Sequence, residues 1–180
     1  MKQLKTFLIF SLVLLSLETN LKGRTRLYNE KVMSSSLTTA IAQDSRGYIW
    51  IGTEYGLNRF DGISFKEYLH NDNDPSSIKS NIVRSMLNDE EGRLWVGYLN
   101  GLQLYDPLTD SFKNVSFGTL KETPNIADIY QMTSGKIWVE VSMLGIYEID
   151  PETMYARHVT RLSELCGTEN FLSIAIRERT

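Results

Sequence analysis

Short runs of alternating side chains recur along most of the chain, and turn residues separate them. In residues 81–88 (Asn-Ile-Val-Arg-Ser-Met-Leu-Asn) the odd and even positions form two sets, one of which holds Val83 and Leu87. An alternation with a period of two predicts a β-strand, here a well-buried inner one. The turn that follows, residues 89–92 (Asp-Glu-Glu-Gly), is predicted to be tight, because Gly92 tolerates the positive φ that such a reversal needs.

Three further strands are predicted in the same segment. Residues 93–99 form the second strand, and Asn100-Gly101 predicts the hairpin after it, since both residue types tolerate positive φ. Residues 102–106 form the third strand, and Pro107 ends it because proline cannot donate a hydrogen bond to a neighbouring strand. With a fourth, outer strand over residues 112–117, the segment predicts four antiparallel strands joined by short turns.

This unit is repeated along the chain. The phrase at residues 44–61 (DSRGYIWIGTEYGLNRFD) returns at 89–106 (DEEGRLWVGYLNGLQLYD) and, less closely, at 133–150. Its tryptophans, Trp50, Trp95 and Trp138, are 45 and then 43 residues apart. A period in the low forties with several short strands is typical of a β-propeller blade.

We therefore predict an all-β fold, a partial β-propeller of about three four-stranded antiparallel blades and the start of a fourth. The blades are placed at about 38–69, 81–117 and 126–159, with a partial strand at 171–176. Residues 24–32 are a candidate strand for completing a last blade. Because a closed propeller has four to eight blades, we expect the chain, over residues 22–180, to be an N-terminal piece of a larger protein.

The third unit departs from the other two in two places. Glu140 stands where the earlier units have Gly52 and Gly97, and one extra residue separates Trp138 from Gly145. An extra residue in one of two paired strands must be accommodated locally. A bulge or a longer hairpin is therefore predicted at this point.

The first 21 residues have a different pattern. A short basic lead (Met-Lys-Gln-Leu-Lys) precedes an uncharged apolar run at residues 7–17. That run has the length of the hydrophobic region of a signal peptide and is short for a membrane span. Residues 1–21 are therefore predicted to be a signal peptide or a retained N-terminal anchor, and the rest of the chain to be periplasmic.

Composition excludes several kinds of function. The formal net charge of the 180 residues is −3, and acidic and basic residues are interspersed without a basic stripe, so nucleic-acid contact is not expected. Cys166 is the single cysteine, which excludes an intrachain disulfide and any site built from paired cysteines.

The sequences at residues 44–65 and 73–97 resemble the two-component-regulator propeller repeat. The resemblance implies the periplasmic sensor region of a hybrid two-component system, with tandem seven-bladed propellers, an Ig-like domain, a membrane helix, a histidine kinase, a receiver and an AraC-type DNA-binding domain. It implies an oligosaccharide as ligand, a homodimer at full length, contact with the remaining propeller blades, and control of transcription through the kinase.

The repeated residues have structural interpretations first. We expect the three tryptophans to pack between blades, Gly52 and Gly97 to allow the close approach of a neighbouring blade, and the aspartates that end the third strands to cap the turns after them. These aspartates are Asp61, Asp106 and Asp150.

Other polar residues give no clear site. The cluster at residues 71–74 (Asn-Asp-Asn-Asp) resembles a set of calcium ligands, but Ser77 and Val83 occupy the positions where an EF-hand loop has glycine and glutamate, which favours turn chemistry. His70 and His158 lie at or on predicted outer strands, without metal-ligand spacing, and residues 34–36 (Ser-Ser-Ser) are interpreted as a lead-in to the first strand. We assign no catalytic, metal-binding or cofactor-binding residue, require no cofactor, and leave the ligand-binding residues unknown.

The chain itself is thus predicted to be non-catalytic, and two alternatives stay open. One is a propeller enzyme similar to the streptogramin lyases, which needs a histidine-centred and often magnesium-dependent site. The other is a secreted scaffold for protein interactions that has no kinase. The positions of the two histidines argue against the enzyme.

Overall fold

A computed structural model describes residues 33–160 of the chain, and these form three four-stranded antiparallel sheets. Within each sheet the strands follow chain order, so the predicted architecture of four-stranded antiparallel blades is confirmed. The predictions for residues 1–21, 24–32 and 171–176 lie outside the described residues. In blade 1 the strands are β1 (Thr38–Gln43), β2 (Ile49–Thr53), β3 (Gly56–Phe60) and β4 (Phe65–Tyr68).

Blade 2 holds β5 (Val83–Asn88), β6 (Leu94–Tyr98), β7 (Gly101–Asp106) and β8 (Ser111–Asn114). Blade 3 holds β9 (Ile126–Gln131), β10 (Ile137–Val141), β11 (Gly145–Asp150) and β12 (Tyr155–Thr160). The inner strand of the middle blade, β5, contacts β1 on one side and β9 on the other. Over residues 33–160, no helix has the length and apolar character needed to cross a membrane.

Two glycines set how closely the blades approach. A Cβ atom on Gly52 would lie 2.4 Å from Cγ1 of Val83 in the next blade, and one on Gly97 would lie 2.6 Å from Cγ2 of Ile126. Both distances are too short for any side chain larger than hydrogen. The prediction that these glycines permit close packing of neighbouring blades is therefore confirmed.

The first tryptophan lies between blades 1 and 2. Trp50 is fully buried, with its ring centroid 5.4 Å from that of Tyr68 in its own blade. Across the interface, its ring lies 4.6 Å from Tyr105 and 6.5 Å from Phe112. This confirms the predicted packing between blades. Trp138, on the last blade described, is half-buried.

An aspartate six residues earlier accepts a hydrogen bond from each of the first two indoles. Nε1 of Trp50 donates to Oδ2 of Asp44 at 3.0 Å, and Nε1 of Trp95 donates to Oδ2 of Asp89 at 2.8 Å. Burial tends to raise the pKa of Asp44, but the hydrogen bonds from Trp50 and Arg46 outweigh it and lower that pKa. Each blade interface thus contains a buried carboxylate that is fully paired.

The third blade keeps this turn but not its carboxylate. Gly135 N donates to Met132 O at 2.8 Å, just as Gly92 N donates to Asp89 O, so Met132 occupies the aspartate position. Trp138 Nε1 instead donates to Oε2 of Glu148 on the neighbouring strand, at 3.4 Å. The loss of the aspartate was not foreseen from the sequence.

The turns after the third strands follow the prediction. Oδ1 of Asp61 accepts from the backbone of Ile63 and Ser64, at 2.8 and 2.7 Å. Oδ1 of Asp106 accepts from Leu108 N at 2.9 Å, and Oδ1 of Asp150 accepts from Glu152 N at 2.9 Å. The three aspartates therefore cap their turns, as expected.

The hairpins between the second and third strands differ in length. Gly101 pairs with Tyr98, so the loop of blade 2 is Leu99 and Asn100, and of the predicted Asn-Gly pair Gly101 alone has positive φ, at 153°. In blade 3, Val141 pairs with Gly145 and the loop has one more residue, with Met143 at a φ of 65°. The longer hairpin is confirmed. A register shift occurs between the first two strands of every blade and is not particular to the third.

The outer strand of blade 2 ends three residues earlier than predicted because the chain crosses to the next blade. β8 ends at Asn114, and Ser116 forms a parallel bridge with Tyr155. Ser116 N donates to Met154 O, and Ala156 N donates to Ser116 O, both at 2.8 Å. Two backbone hydrogen bonds therefore join blades 2 and 3 at their outer edge.

A charged cluster joins blades 1 and 2. Oδ1 of Asp110 accepts from the hydroxyls of Tyr105 and Tyr68, at 2.6 and 2.7 Å, and from Nη1 of Arg59 at 3.1 Å. Lys66 forms an ion pair with the other carboxylate oxygen. Burial alone would raise the pKa of Asp110, but the hydrogen bonds from Lys66 and the two tyrosines hold it well below its usual range.

Candidate functional site

The hairpin loops and the crossovers between blades lie at the same end of the sheets. Leu99 N, in the hairpin loop of blade 2, donates to Ile82 O at 3.3 Å, and Ser142 N in blade 3 donates to Asn125 O at 2.8 Å. Ile82 and Asn125 are the residues just before the inner strands of these blades. The long polar crossovers, residues 69–82 and 115–125, therefore arrive beside the hairpin loops.

A cleft of about 480 Å³ opens at this end of blade 2. Its floor is formed by Asn100, Gly101, Leu102 and Asn114 of blade 2, and its wall by the β8–β9 crossover within residues 117–124. Lys79, from the preceding crossover, also lines it. A volume of several hundred cubic ångströms is in the range of sites that hold small ligands.

A second, smaller cleft of about 190 Å³ adjoins the first. Lys79 and Asn114 line both clefts, so these two residues lie between them. The far side of the smaller cleft carries acidic groups, Asp72 and Asp74. The larger cleft and the smaller cleft together form a groove that crosses from one interblade crossover to the next.

Two side-chain amides, of the buried Gln103 and the half-buried Asn100, fix the backbone of Lys79. Oε1 of Gln103 accepts from Lys79 N at 2.8 Å, and Nδ2 of Asn100 donates to Lys79 O at 3.2 Å. Gln103 is 1% exposed, and its Nε2 also donates to Ser77 O and to Oδ1 of Asn114, both at 3.1 Å. Both backbone polar groups of Lys79 are therefore held by blade 2.

The same device occurs in blade 1, where sequence reasoning also missed it. Asn58 is fully buried, and its Oδ1 accepts from Ser34 N at 2.9 Å. Both amides lie two residues after a hairpin glycine, Gly56 in blade 1 and Gly101 in blade 2. A polar residue at a buried position of a repeat was the available signal, because buried amides need partners. The contact also confirms that residues 34–36 lead into the first strand.

An aromatic residue takes this position in blade 3. Tyr147 lies two residues after Gly145, and its ring centroid is 5.4 Å from that of Phe117 in the crossover before blade 3. Burial raises the pKa of Tyr147. The crossover is thus fixed in this blade by an aromatic contact in place of amide hydrogen bonds.

The wall and the floor of the larger cleft belong to different blades. The β8–β9 crossover leaves blade 2 at Val115, whose N donates to Leu102 O at 2.9 Å, and is then bonded to blade 3, through Ser116 to Met154 and Ala156 and through Asn125 to Ser142. The floor belongs to blade 2. The shape of the larger cleft therefore depends on how these two blades are placed.

The acidic cluster at residues 71–74 is occupied by turn hydrogen bonds, as predicted. Oδ1 of Asp74 accepts from N and Oγ of Ser76, at 2.9 and 2.6 Å, and these bonds lower the pKa of Asp74. Oδ1 of Asn71 accepts from Asn73 N at 3.0 Å. Across residues 33–160, no group of three or more His, Cys, Asp or Glu side chains is arranged to hold a metal ion.

The two histidines are placed as predicted and are not brought together. His70 follows β4, and its Nδ1 lies 2.7 Å from Ile78 O. His158 is on β12, and its Nε2 lies 3.3 Å from Leu144 O. They are on blades 1 and 3, so a single histidine-centred site would not include both. Cys166 lies outside the described residues.

Comparison with known proteins identifies the repeat. The family described as "Two component regulator propeller" matches residues 33–55 and 77–100. Each matched segment covers an inner strand, the aspartate turn and the tryptophan strand of a blade, in blades 1 and 2 respectively.

Three known proteins illustrate the likeness. "Histidine kinase P4" of Formosa agariphila is 48% identical over 46 residues, which is 26% of this chain and 3% of the kinase. The extracellular domain assigned to the hybrid two-component system BT3049 of B. thetaiotaomicron has a TM-score of 0.68 at 24% identity, over 81% of this chain and 21% of that one. For BT4673 of the same organism the values are 0.62, 19%, 78% and 22%.

The likeness to the two solved structures is one of fold: the chain shares the fold of part of each of those extracellular domains. The chain spans about a fifth of each solved extracellular domain, and it spans a far smaller part of the kinase.

Proposed function

Because the chain carries two-component-regulator propeller repeats, we propose that it is part of the ligand-sensing region of a hybrid two-component regulator. The observation that carries this proposal is the coincidence of both matched segments with the inner strand, aspartate turn and tryptophan strand of a blade. The sensing region lies in the periplasm, and the complete protein is a homodimer anchored in the inner membrane. Its ligand is an oligosaccharide, and its output is transcription through a downstream histidine kinase.

The groove supports a binding role for this part of the protein. Its lining residues come from a hairpin loop and from two crossovers, while the sheets beneath are held by buried tryptophans and close interblade packing. Variable loops on a rigid scaffold are the usual arrangement of a binding surface. A ligand signals only if it binds two arrangements of the protein with different affinity, so the sensor needs a site whose shape can differ between them.

Deletion of the gene tests the regulatory role. Transcripts are measured in the host and in the deletion strain after addition of oligosaccharides released from several plant and algal polysaccharides. We expect a set of genes to respond to at least one of these mixtures in the host and in a strain complemented with the intact gene, but not in the deletion strain. An unchanged response to every mixture in the deletion strain would contradict the proposal.

Localisation is tested separately with residues 1–32 fused to a reporter enzyme that is active only after export. We expect reporter activity with the natural sequence, and none when two charged residues interrupt the apolar run at residues 7–17. Activity that is absent with the natural sequence would place the chain in the cytoplasm and contradict a periplasmic sensor.

A further inference from the structure

We propose that the larger cleft binds an anionic group of a carbohydrate ligand, a carboxylate or a sulfate, through Lys79 and Lys121. This inference rests on the proposed function, because it takes the ligand to be a carbohydrate. It adds the location of the site, the charge of the ligand and the residues that recognise it.

The charges that line the larger cleft favour an anion. Two lysines, Lys79 and Lys121, and one glutamate, Glu122, contribute to the lining, so the cleft is net positive in a chain whose net charge is −3. Within residues 33–160, neither lysine forms an ion pair with a carboxylate. Lys66, Lys113 and Lys136, in contrast, are all paired. Among the lysines of residues 33–160, the two that line the cleft are thus the ones without a carboxylate partner.

Lys79 is already held in position. Gln103 and Asn100 bind its backbone N–H and C=O, and its side-chain methylenes run along the floor, since a Cβ atom on Gly101 would lie 3.4 Å from Lys79 Cγ. A cation whose backbone is fixed loses less conformational freedom when it binds a partner.

The opposite wall suits the body of a sugar. Phe117 and Leu120 are half-buried and line the larger cleft, and the ring of Phe117 is supported by Tyr147. The C–H faces of a pyranose ring are apolar and pack on such side chains, while the amide of Asn114 offers hydrogen-bonding groups to its hydroxyls. The cleft therefore offers apolar, amide and cationic groups within one volume.

The smaller cleft gives the ligand a direction. Its acidic side chains, Asp72 and Asp74, repel an anion, and an oligosaccharide that extends past Lys79 would place a neutral sugar there. The anionic sugar is therefore expected at the end of the groove next to Lys121.

The test is isothermal titration calorimetry of the full-length natural protein with a panel of oligosaccharides. The panel holds oligogalacturonates, the same oligomers as methyl esters, sulfated galactan oligomers and neutral gluco-oligomers. We expect at least one carboxylated or sulfated member to bind, and the esterified or unsulfated counterpart to bind about tenfold more weakly or less. Comparison of the carboxylated and sulfated members identifies which anion is recognised.

Charge-removing variants locate the site. Lys79→Gln and Lys121→Gln are each expected to weaken binding of the anionic member by about tenfold and to leave any neutral member unaffected. Lys113→Gln is the matched control. It removes a lysine charge from β8, the strand that leads into the crossover, but Lys113 lines neither cleft, so the substitution is expected to leave binding unchanged.

The outcomes separate this inference from the proposed function. If neutral members bind as well as charged ones, or if Lys113→Gln weakens binding as much as Lys79→Gln and Lys121→Gln, the anionic site is wrong while a carbohydrate sensor stands. If no member of the panel binds, the carbohydrate ligand itself is wrong and both proposals fall.

Discussion

The indole N–H of Trp95 is bonded to the carboxylate of Asp89, whose side chain is fully buried, at a distance of 2.8 Å. The same carboxylate accepts from the backbone and the side chain of Arg93, at 2.8 and 2.6 Å. One residue therefore ties the turn between two strands to the tryptophan that fills the interface with the next blade.

Replacing that carboxylate is expected to destabilise the protein strongly. Asp89→Ala leaves the indole N–H and the Arg93 guanidinium without their acceptor, and we expect the free energy of unfolding to fall by about 3 kcal/mol. Denaturation by urea, followed through tryptophan fluorescence, measures it. Asp61→Ala is the control, because Asp61 also caps a turn but is exposed and binds no tryptophan. Equal losses in the two variants would show that turn capping alone explains the role of Asp89.

Gln103→Leu is expected to cost about 2–4 kcal/mol of stability and to weaken ligand binding, although Gln103 does not line the larger cleft. The substitution removes three hydrogen bonds, two of which hold the crossover that carries Lys79. Gln131→Leu is the matched variant, since the half-buried Gln131 accepts from Glu90 N at 2.8 Å away from the groove. Binding that survives Gln103→Leu unchanged would mean that the amide does not position Lys79.

Gly52→Ala is expected to lower the free energy of unfolding by about 1–3 kcal/mol, because its new methyl group would overlap Val83 of the next blade. Val83→Ala removes the atom that would be nearest. The double variant is therefore expected to lose less than the sum of the two single losses. Additive losses would show that the two positions are not in contact across the interface.

Glu148 makes stability dependent on pH in the acid range. Hydrogen bonds from Arg157, and then from Lys136, lower the pKa of this carboxyl from 4.5 to about 2. A carboxyl whose pKa is lower in the folded state favours that state above its ordinary pKa, and the contribution is lost as the pH falls from about 4.5 towards 2. We expect the urea midpoint to fall less steeply over this range in Glu148→Gln than in the natural protein.

Arg157→Gln checks the cause of that dependence. This substitution removes the largest of the interactions that lower the pKa of Glu148. The fall of its urea midpoint with decreasing pH should therefore be intermediate between those of the natural protein and Glu148→Gln. Parallel curves for all three proteins would show that this carboxyl does not contribute to acid unfolding.

The repeating features of the fold could be predicted from the sequence because each of them is local. The spacing of Trp50 and Trp95 gives the blade period, and a glycine two residues after each gives the close approach of the next blade. Asp61 and Asp106 bind backbone groups only two or three residues away. One repeat unit is enough to recognise such features.

The groove could not be predicted because it is assembled from distant parts of the chain. Gln103 and Lys79 are 24 residues apart, and nothing in the sequence around either residue indicates that the two are in contact. The bridge between Ser116 and Tyr155 depends on where two blades meet, which no single repeat encodes. The roles of Asp44 and Asp89 were within reach, since each precedes its tryptophan by six residues, but only the folded turn shows that the side chains meet.

The crossover over the groove is attached to blade 3 at Ser116 and Asn125, while the surface beneath it is blade 2. A molecule that filled the larger cleft would contact the floor on blade 2 and the wall that is bonded to blade 3, so it would act on the angle between the two blades. The volume of the larger cleft is therefore linked to the angle between blades 2 and 3, and a change in one requires a change in the other.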